Sequence, residues 1–158
     1  MAGSVLRVYA DTSVFGGVFD EEFSKPSAAF FSQVRAEQFR LVVSGLVEVE
    51  IEAGPEEVQR LWRDLLPLCE TADITEEAIA LQKEYLAKGI VAPRYGRDAM
   101  HVAIATAAGC SVIVSWNFRH IVHWNKIPLY NAVNSISGYA RIAIHSPAEV
   151  IRYEDQDV

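Results

Sequence analysis

Four polar residues stand where a folded chain would bring them to one edge. Asp11 closes the apolar run Val5–Ala10, and Glu50 lies within the alternating stretch Gly45–Ala53. Asp98 opens the apolar stretch Ala99–Ala108, and Asn117 follows Ser111–Ser115. Carboxylates that converge repel one another without a counter-charge, and an all-oxygen cluster suits a hard cation such as Mg2+ or Mn2+. Such an ion acidifies water and neutralises charge on a phosphoryl group. Each acid also has a plainer reading as an N-cap or a surface charge. Asp98 in particular sits where a helix dipole favours an acid.

The elements that must position these residues follow an α/β pattern. Val5–Ala10 reads as a buried strand, and open α/β sheets bind ligands at the carboxyl ends of their strands. Val14–Gly17 is expected to be a turn or short helix, with Thr12 and Ser13 as capping residues. A helix is expected over 24–37, capped by Ser24, and Phe39–Ser44 is strongly β-prone. Strand, helix, strand in this order predicts a βαβ unit and a parallel sheet.

Gly45–Ala53 alternates apolar and acidic residues, as an amphipathic strand does. Ser44 as an N-cap and Gly54-Pro55 as a stop favour a helix. In a helix Glu48 and Glu52 share one face, while Glu50 lies with Leu46, Val47 and Ala53. A glutamate on that more apolar face must be paired, protonated or bound to a cation. Further helices are expected over 56–66, from Thr75 to about Lys88, and over 98–108, the last apolar almost all round. Leu66–Cys69 reads as an irregular edge, Ser111–Ser115 as a second buried strand, 126–138 as helix and loop, and Arg141–His145 as a last strand. Ser146-Pro147 reads as a turn. Residues 1–150 form the expected single domain, with 151–158 a short acidic tail.

Bulk properties narrow the function. With 14 basic and 21 acidic residues the formal charge is −7, which argues against a broad basic surface for nucleic acid. A small acidic pocket that meets a nucleic acid at a few phosphates remains compatible with it. Cys69 and Cys110 read as buried, reduced thiols. No signal-like start or membrane span is apparent, so a cytoplasmic protein with no membrane association is expected.

The motifs Val-Tyr-Ala-Asp11-Thr-Ser-Val-Phe, Val-Ser-Gly-Leu-Val-Glu-Val-Glu50-Ile, Asp98-Ala-Met-His-Val-Ala-Ile-Ala and Val-Ile-Val-Ser-Trp-Asn117-Phe-Arg-His resemble, in order and setting, those of PIN-domain proteins. The resemblance spans nearly the whole chain. It implies a three-layer α/β/α sandwich with a mostly parallel central sheet, and a metal-dependent ribonuclease. Many such proteins are VapC-type toxins, usually dimeric and restrained by a small antitoxin. An RNA substrate, an antitoxin partner, a homodimer and Mg2+ (or Mn2+) are therefore implied.

Carried over, the resemblance makes Asp11, Glu50 and Asp98 the metal-binding acids. Glu50 is preferred to Glu48 because it falls where the family has its acid, beyond the serine that closes strand two. Asn117 stands where many members have a further aspartate; an amide oxygen accepts a hydrogen bond but brings no charge. Hydrolysis of an RNA phosphodiester, leaving a 5′-phosphate, is the implied reaction. Thr12 and Ser13 are candidates for orienting an acid or a water, and Arg94, Arg97, Arg119 and His120 for phosphate contact. For each arginine an ordinary surface charge is an equal reading.

Other groupings carry less. His101, His120 and His123 make a nominal metal trio, but His101 on an apolar helix reads as a hydrogen-bonded core histidine. Trp116 and Trp124 read as packing residues before base-stacking ones. Two rival functions follow. One is a PIN scaffold that binds RNA or a partner with weak or no catalysis, suggested by Asn117. The other is phosphotransfer on Asp11, which lacks the second aspartate two residues on.

Overall fold

Val8, Tyr9 and Ala10 have no exposed surface, and the strand they belong to is the middle of the sheet. The computed structural model describes residues 5–153; the acidic stretch expected after Tyr153 lies outside the described residues. β1 (Leu6–Ala10) leads into α1 (Thr12–Gly17) and α2 (Ser24–Arg35), then β2 (Phe39–Ser44), α3 (Gly45–Glu52) and α4 (Glu56–Leu65). A 3-10 turn precedes β3 (Glu70–Ala72). α5 (Glu76–Ala87), α6 (Gly96–Ala107) and β4 (Val112–Val114) follow. α7 (Ile127–Ile136), β5 (Ala143–His145) and α8 (Pro147–Val150) complete the described elements.

All five strands are parallel, in the order β3-β2-β1-β4-β5. One layer holds α1, α2, α3, α4 and α8, which pack among themselves; α5 packs on α6 and α7 in the other. The three-layer α/β/α sandwich of the sequence reading is thus the fold, with a sheet wholly rather than mostly parallel among the described residues. The chain moves outward from β1 through β2 to β3, then crosses back to β4 and on to β5. Strand order therefore reverses between β1 and β4, the place where doubly wound sheets open a crevice at their carboxyl ends.

The ambiguous alternating stretch is helical. Val47 and Ile51 are buried while Val49 is 55% exposed, so the three do not share a face as they would in a strand. Ser44 caps this helix through the Val47 amide. α6 is covered on nearly every side, with Ala99 and His101 to Thr106 buried.

Several expectations are corrected. Asp11, not Thr12 or Ser13, caps α1, and α2 has Phe23 at its cap position with no side-chain bond. Asp20 instead accepts from the Glu22 and Phe23 amides just upstream. Leu66–Cys69, expected to be an irregular edge, holds a 3-10 turn, and the edge strand β3 follows it at Glu70–Ala72, where no run of β-formers announces a strand. Ser146 opens a short helix where a turn was expected, through a capping box with Glu149. Both cysteines are free; Cys110 is buried and Cys69 half-buried.

Candidate active site

Asp11 stands at the strand-order reversal. The register pairs Ala10 with Val114, and the Asp11 amide donates to the Val114 carbonyl at 3.3 Å, so the residues after β1 and β4 meet. Asp11 Oδ1 accepts from the Ser13 amide (3.1 Å) and Ser13 Oγ (2.6 Å), and Oδ2 accepts from Ser115 Oγ (2.7 Å). The side chain is almost wholly enclosed. Burial raises its pKa, and the neighbouring Glu50 charge adds to that; His101 and the two serine hydroxyls oppose without cancelling it. A carboxylate so placed favours a cation beside it.

Glu50 reaches the same edge from α3. Its Oε1 accepts from Thr12 Oγ1 (2.7 Å) and from His101 Nε2 (2.6 Å). His101 Nδ1 lies 2.8 Å from Tyr9 Oη, which lies 2.8 Å from Ser44 Oγ. The directions follow the ring: a neutral His101 accepts from Tyr9 and donates to Glu50, while a charged one donates to both and Tyr9 donates to Ser44. Tyr9, Ser44 and His101 are all buried, so β1, β2 and α6 are fastened to Glu50 through a polar line inside the core. Partial burial pushes the Glu50 pKa up. The hydrogen bond and charge of His101, the Thr12 hydroxyl and the Arg97 charge outweigh it, and the net shift is downward.

Asp98 lies in the first turn of α6, one turn before His101, and its Oδ2 sits 2.8 Å from His120 Nδ1. His120 stacks on Tyr95 at 4.0 Å, and the Arg94 guanidinium lies over the same Tyr95 ring, 4.9 Å from its centroid. Asn117 turns its oxygen inward: Oδ1 accepts from the Arg119 (3.2 Å) and His120 (2.9 Å) amides. Arg97 and Arg119 are exposed. The structure therefore brings Asp11, Thr12, Ser13 and Glu50 together at one sheet edge; Asp98, one turn before His101 on α6, pairs with His120, and Asn117 shapes the turn that carries His120.

Among the described residues, no three His, Cys, Asp or Glu side chains are gathered as a ready metal-binding group. The donor set nonetheless fits a hard cation chemically. Both protein hydrogen bonds to Glu50 fall on Oε1 and the one to Asp98 on Oδ2, and these side chains keep 23% and 26% of their surface open. The oxygen chemistry is that of Mg2+ or Mn2+ rather than zinc.

Sequence reasoning missed Ser115, Tyr9 and Ser44 as parts of this site. The only cue was the Asp98–His101 stripe on an otherwise apolar helix. Nor did it foresee how Trp116 is held. The Trp116 amide donates to Ser13 Oγ at 2.8 Å, and its indole N–H donates to Ser27 Oγ at 2.8 Å. Gly17 makes room for that: a Cβ there would stand 2.5 Å from Ser27 Oγ and 2.7 Å from Trp116 Nε1. Gly17→Ala should therefore cost roughly 1–3 kcal/mol of stability, read by urea denaturation, because both partners of a hydrogen bond must move. Unchanged stability would mean that the indole is not fixed by this contact.

Comparison with known proteins bears on the fold. A family model described as PIN domain matches residues 8–120. The chain is similar in fold to FitAB bound to an IR36 DNA fragment, with TM-score 0.60 and 13% identity over 93% of this chain and 99% of that one. It is also similar to a DNA-bound VapBC from Salmonella typhimurium, with TM-score 0.58 and 17% identity over 90% and 98%. VapBC2 from Rickettsia felis, bound to a DNA fragment from its promoter, gives 0.58 and 12% over 89% and 98%. No curated protein matches by sequence.

Proposed function

The chain belongs to the PIN-domain family, and on that premise we propose that it is a Mg2+- or Mn2+-dependent endoribonuclease, the toxin of a toxin–antitoxin pair. The observation that carries this reading is the meeting of Asp11 with Ser115 and the Glu50 line at the strand-order reversal. Asp11, Glu50 and Asp98 would hold the ion. When bound, it supplies charge neutralisation at the scissile phosphate and acidifies water.

The protein's own groups do the rest. Ser13 and Ser115 fix both oxygens of Asp11, and Thr12 with His101 fixes Glu50, so neither acid must reorganise during reaction. Arg97 and Arg119 offer guanidinium groups to RNA phosphates, and His120 holds Asp98 while facing the same edge. Asn117 takes the place of a fourth acid and clamps the turn. The fold neighbours are complexes of VapBC and FitAB type bound to DNA, which supports a small antitoxin as partner. A homodimer in the cytoplasm accords with that role. No helix among the described residues is long and apolar enough to cross a membrane.

The ion requirement is directly testable. Cleavage of single-stranded RNA should stop in EDTA and return with Mg2+ or Mn2+; persistence in EDTA would refute the ion's role. Asn117, with its oxygen committed to its own turn, favours one second reading: a PIN scaffold that binds RNA or a partner without cutting. RNA binding with no cleavage at any divalent concentration would select it.

A further inference from the structure

We infer that Phe118, backed by Trp116 and Phe23, is a stacking platform for an unpaired RNA base, with Arg119 beside it for the adjoining phosphate; this rests on the ribonuclease reading above. Phe118 keeps 47% of its surface exposed in the turn after β4. Its ring is nevertheless held, edge-on to Trp116 at 6.0 Å and tilted to Phe23 at 6.2 Å. Trp116 cannot yield, because Phe23 stacks on it at 4.2 Å and Ser27 holds its indole nitrogen. A large apolar ring is thus presented to water on a rigid base.

Its position ties it to the acids on both sides. Two residues earlier, the Trp116 amide donates to the same Ser13 hydroxyl that donates to Asp11. Two residues later, His120 pairs with Asp98. Asn117 Oδ1 accepts from the Arg119 and His120 amides, so the turn between these anchors is clamped and Phe118 is fixed relative to both carboxylates. RNA crossing the acid edge passes this ring.

Chemistry selects an unpaired base as the occupant. Every base has a π face, so stacking holds single strands with little sequence preference, whereas bases in a duplex are already stacked on their neighbours. Arg119 is exposed in a chain of net charge −7, which suits local contact with a phosphate and not a broad polyanion surface. Phe118 therefore gives the site its grip on single-stranded substrate.

The test measures binding separately from cutting. A fluorescein-labelled single-stranded oligoribonucleotide and a hairpin duplex are titrated by anisotropy with Asp11→Asn protein, alone and carrying Phe118→Ala or Phe118→Trp. Phe118→Ala should weaken single-strand binding about 5- to 100-fold, with Phe118→Trp at or above the parent and duplex binding unmoved. Equal single-strand affinity in parent and Phe118→Ala would overturn the platform. Equal losses on duplex, or no binding by the parent, would overturn it too. If wild-type protein cuts no RNA while Phe118→Ala loses binding as stated, the platform stands and hydrolysis falls; cleavage with unmoved binding gives the reverse.

Discussion

Asp11→Asn is expected to slow RNA cleavage by about a thousandfold or more, which corresponds to about 4 kcal/mol of barrier. The amide keeps the size of the carboxylate and removes the charge that would hold a cation. The same substitution should leave the protein at least as stable as wild type at pH 7. The sign follows from burial. A carboxyl whose pKa is raised on folding contributes stability below its ordinary range and loses it as pH rises through the raised value. At neutral pH the ionised Asp11 therefore opposes folding, and asparagine relieves that. Thermal melts at pH 7 beside RNA cleavage rates check both halves. A variant that unfolds would show that Asp11 serves the fold, and one that cuts normally would remove it from the site.

His101→Ala is expected to damage fold and activity together. It removes a buried ring that joins Tyr9 to Glu50, and it leaves Tyr9 Oη with Ser44 Oγ as its remaining partner, in a position of no solvent access. Two hydrogen bonds are lost at about 1 kcal/mol each and the cavity adds to that, so a loss of about 3 kcal/mol should appear in urea denaturation. Glu50→Gln is the contrast. Its amide oxygen still accepts from His101 and Thr12, so activity should fall with little change in stability at low pH. At neutral pH some stability should go as well, because the lowered Glu50 pKa adds stability above the ordinary carboxylate range and loses it as pH falls. A His101→Ala protein as stable as wild type would mean that the polar line does not fasten the core.

The parts of the site readable from sequence were those with local signatures. A strand ending in Asp11, Ser44 three residues before the Val47 amide it caps, and the apolar α6 opened by Asp98 each show in a short window. Order alone then supports the sheet. Contacts across the sheet have no such window. Nothing near Tyr9 says that its hydroxyl meets Ser44 and His101 from two other elements, and nothing near Ser115 says that it faces Asp11. Glu70–Ala72 escaped because an edge strand of three residues needs no hydrophobic alternation. Asn117 was legible as a departure from the family's acid, but its role as the clamp of its own turn depends on backbone geometry that composition does not encode.

The chemistry of the cut ends tests the central claim most directly. Hydrolysis assisted by a cation held by Asp11, Glu50 and Asp98, as proposed, would add water across the phosphodiester and leave a 5′-phosphate and a 3′-hydroxyl. End-group analysis of single-stranded RNA cut by the purified chain in Mn2+ should find those ends, and Asp11→Asn should yield none. Products bearing a 2′,3′-cyclic phosphate and a 5′-hydroxyl, formed equally by wild type and Asp11→Asn, would contradict it.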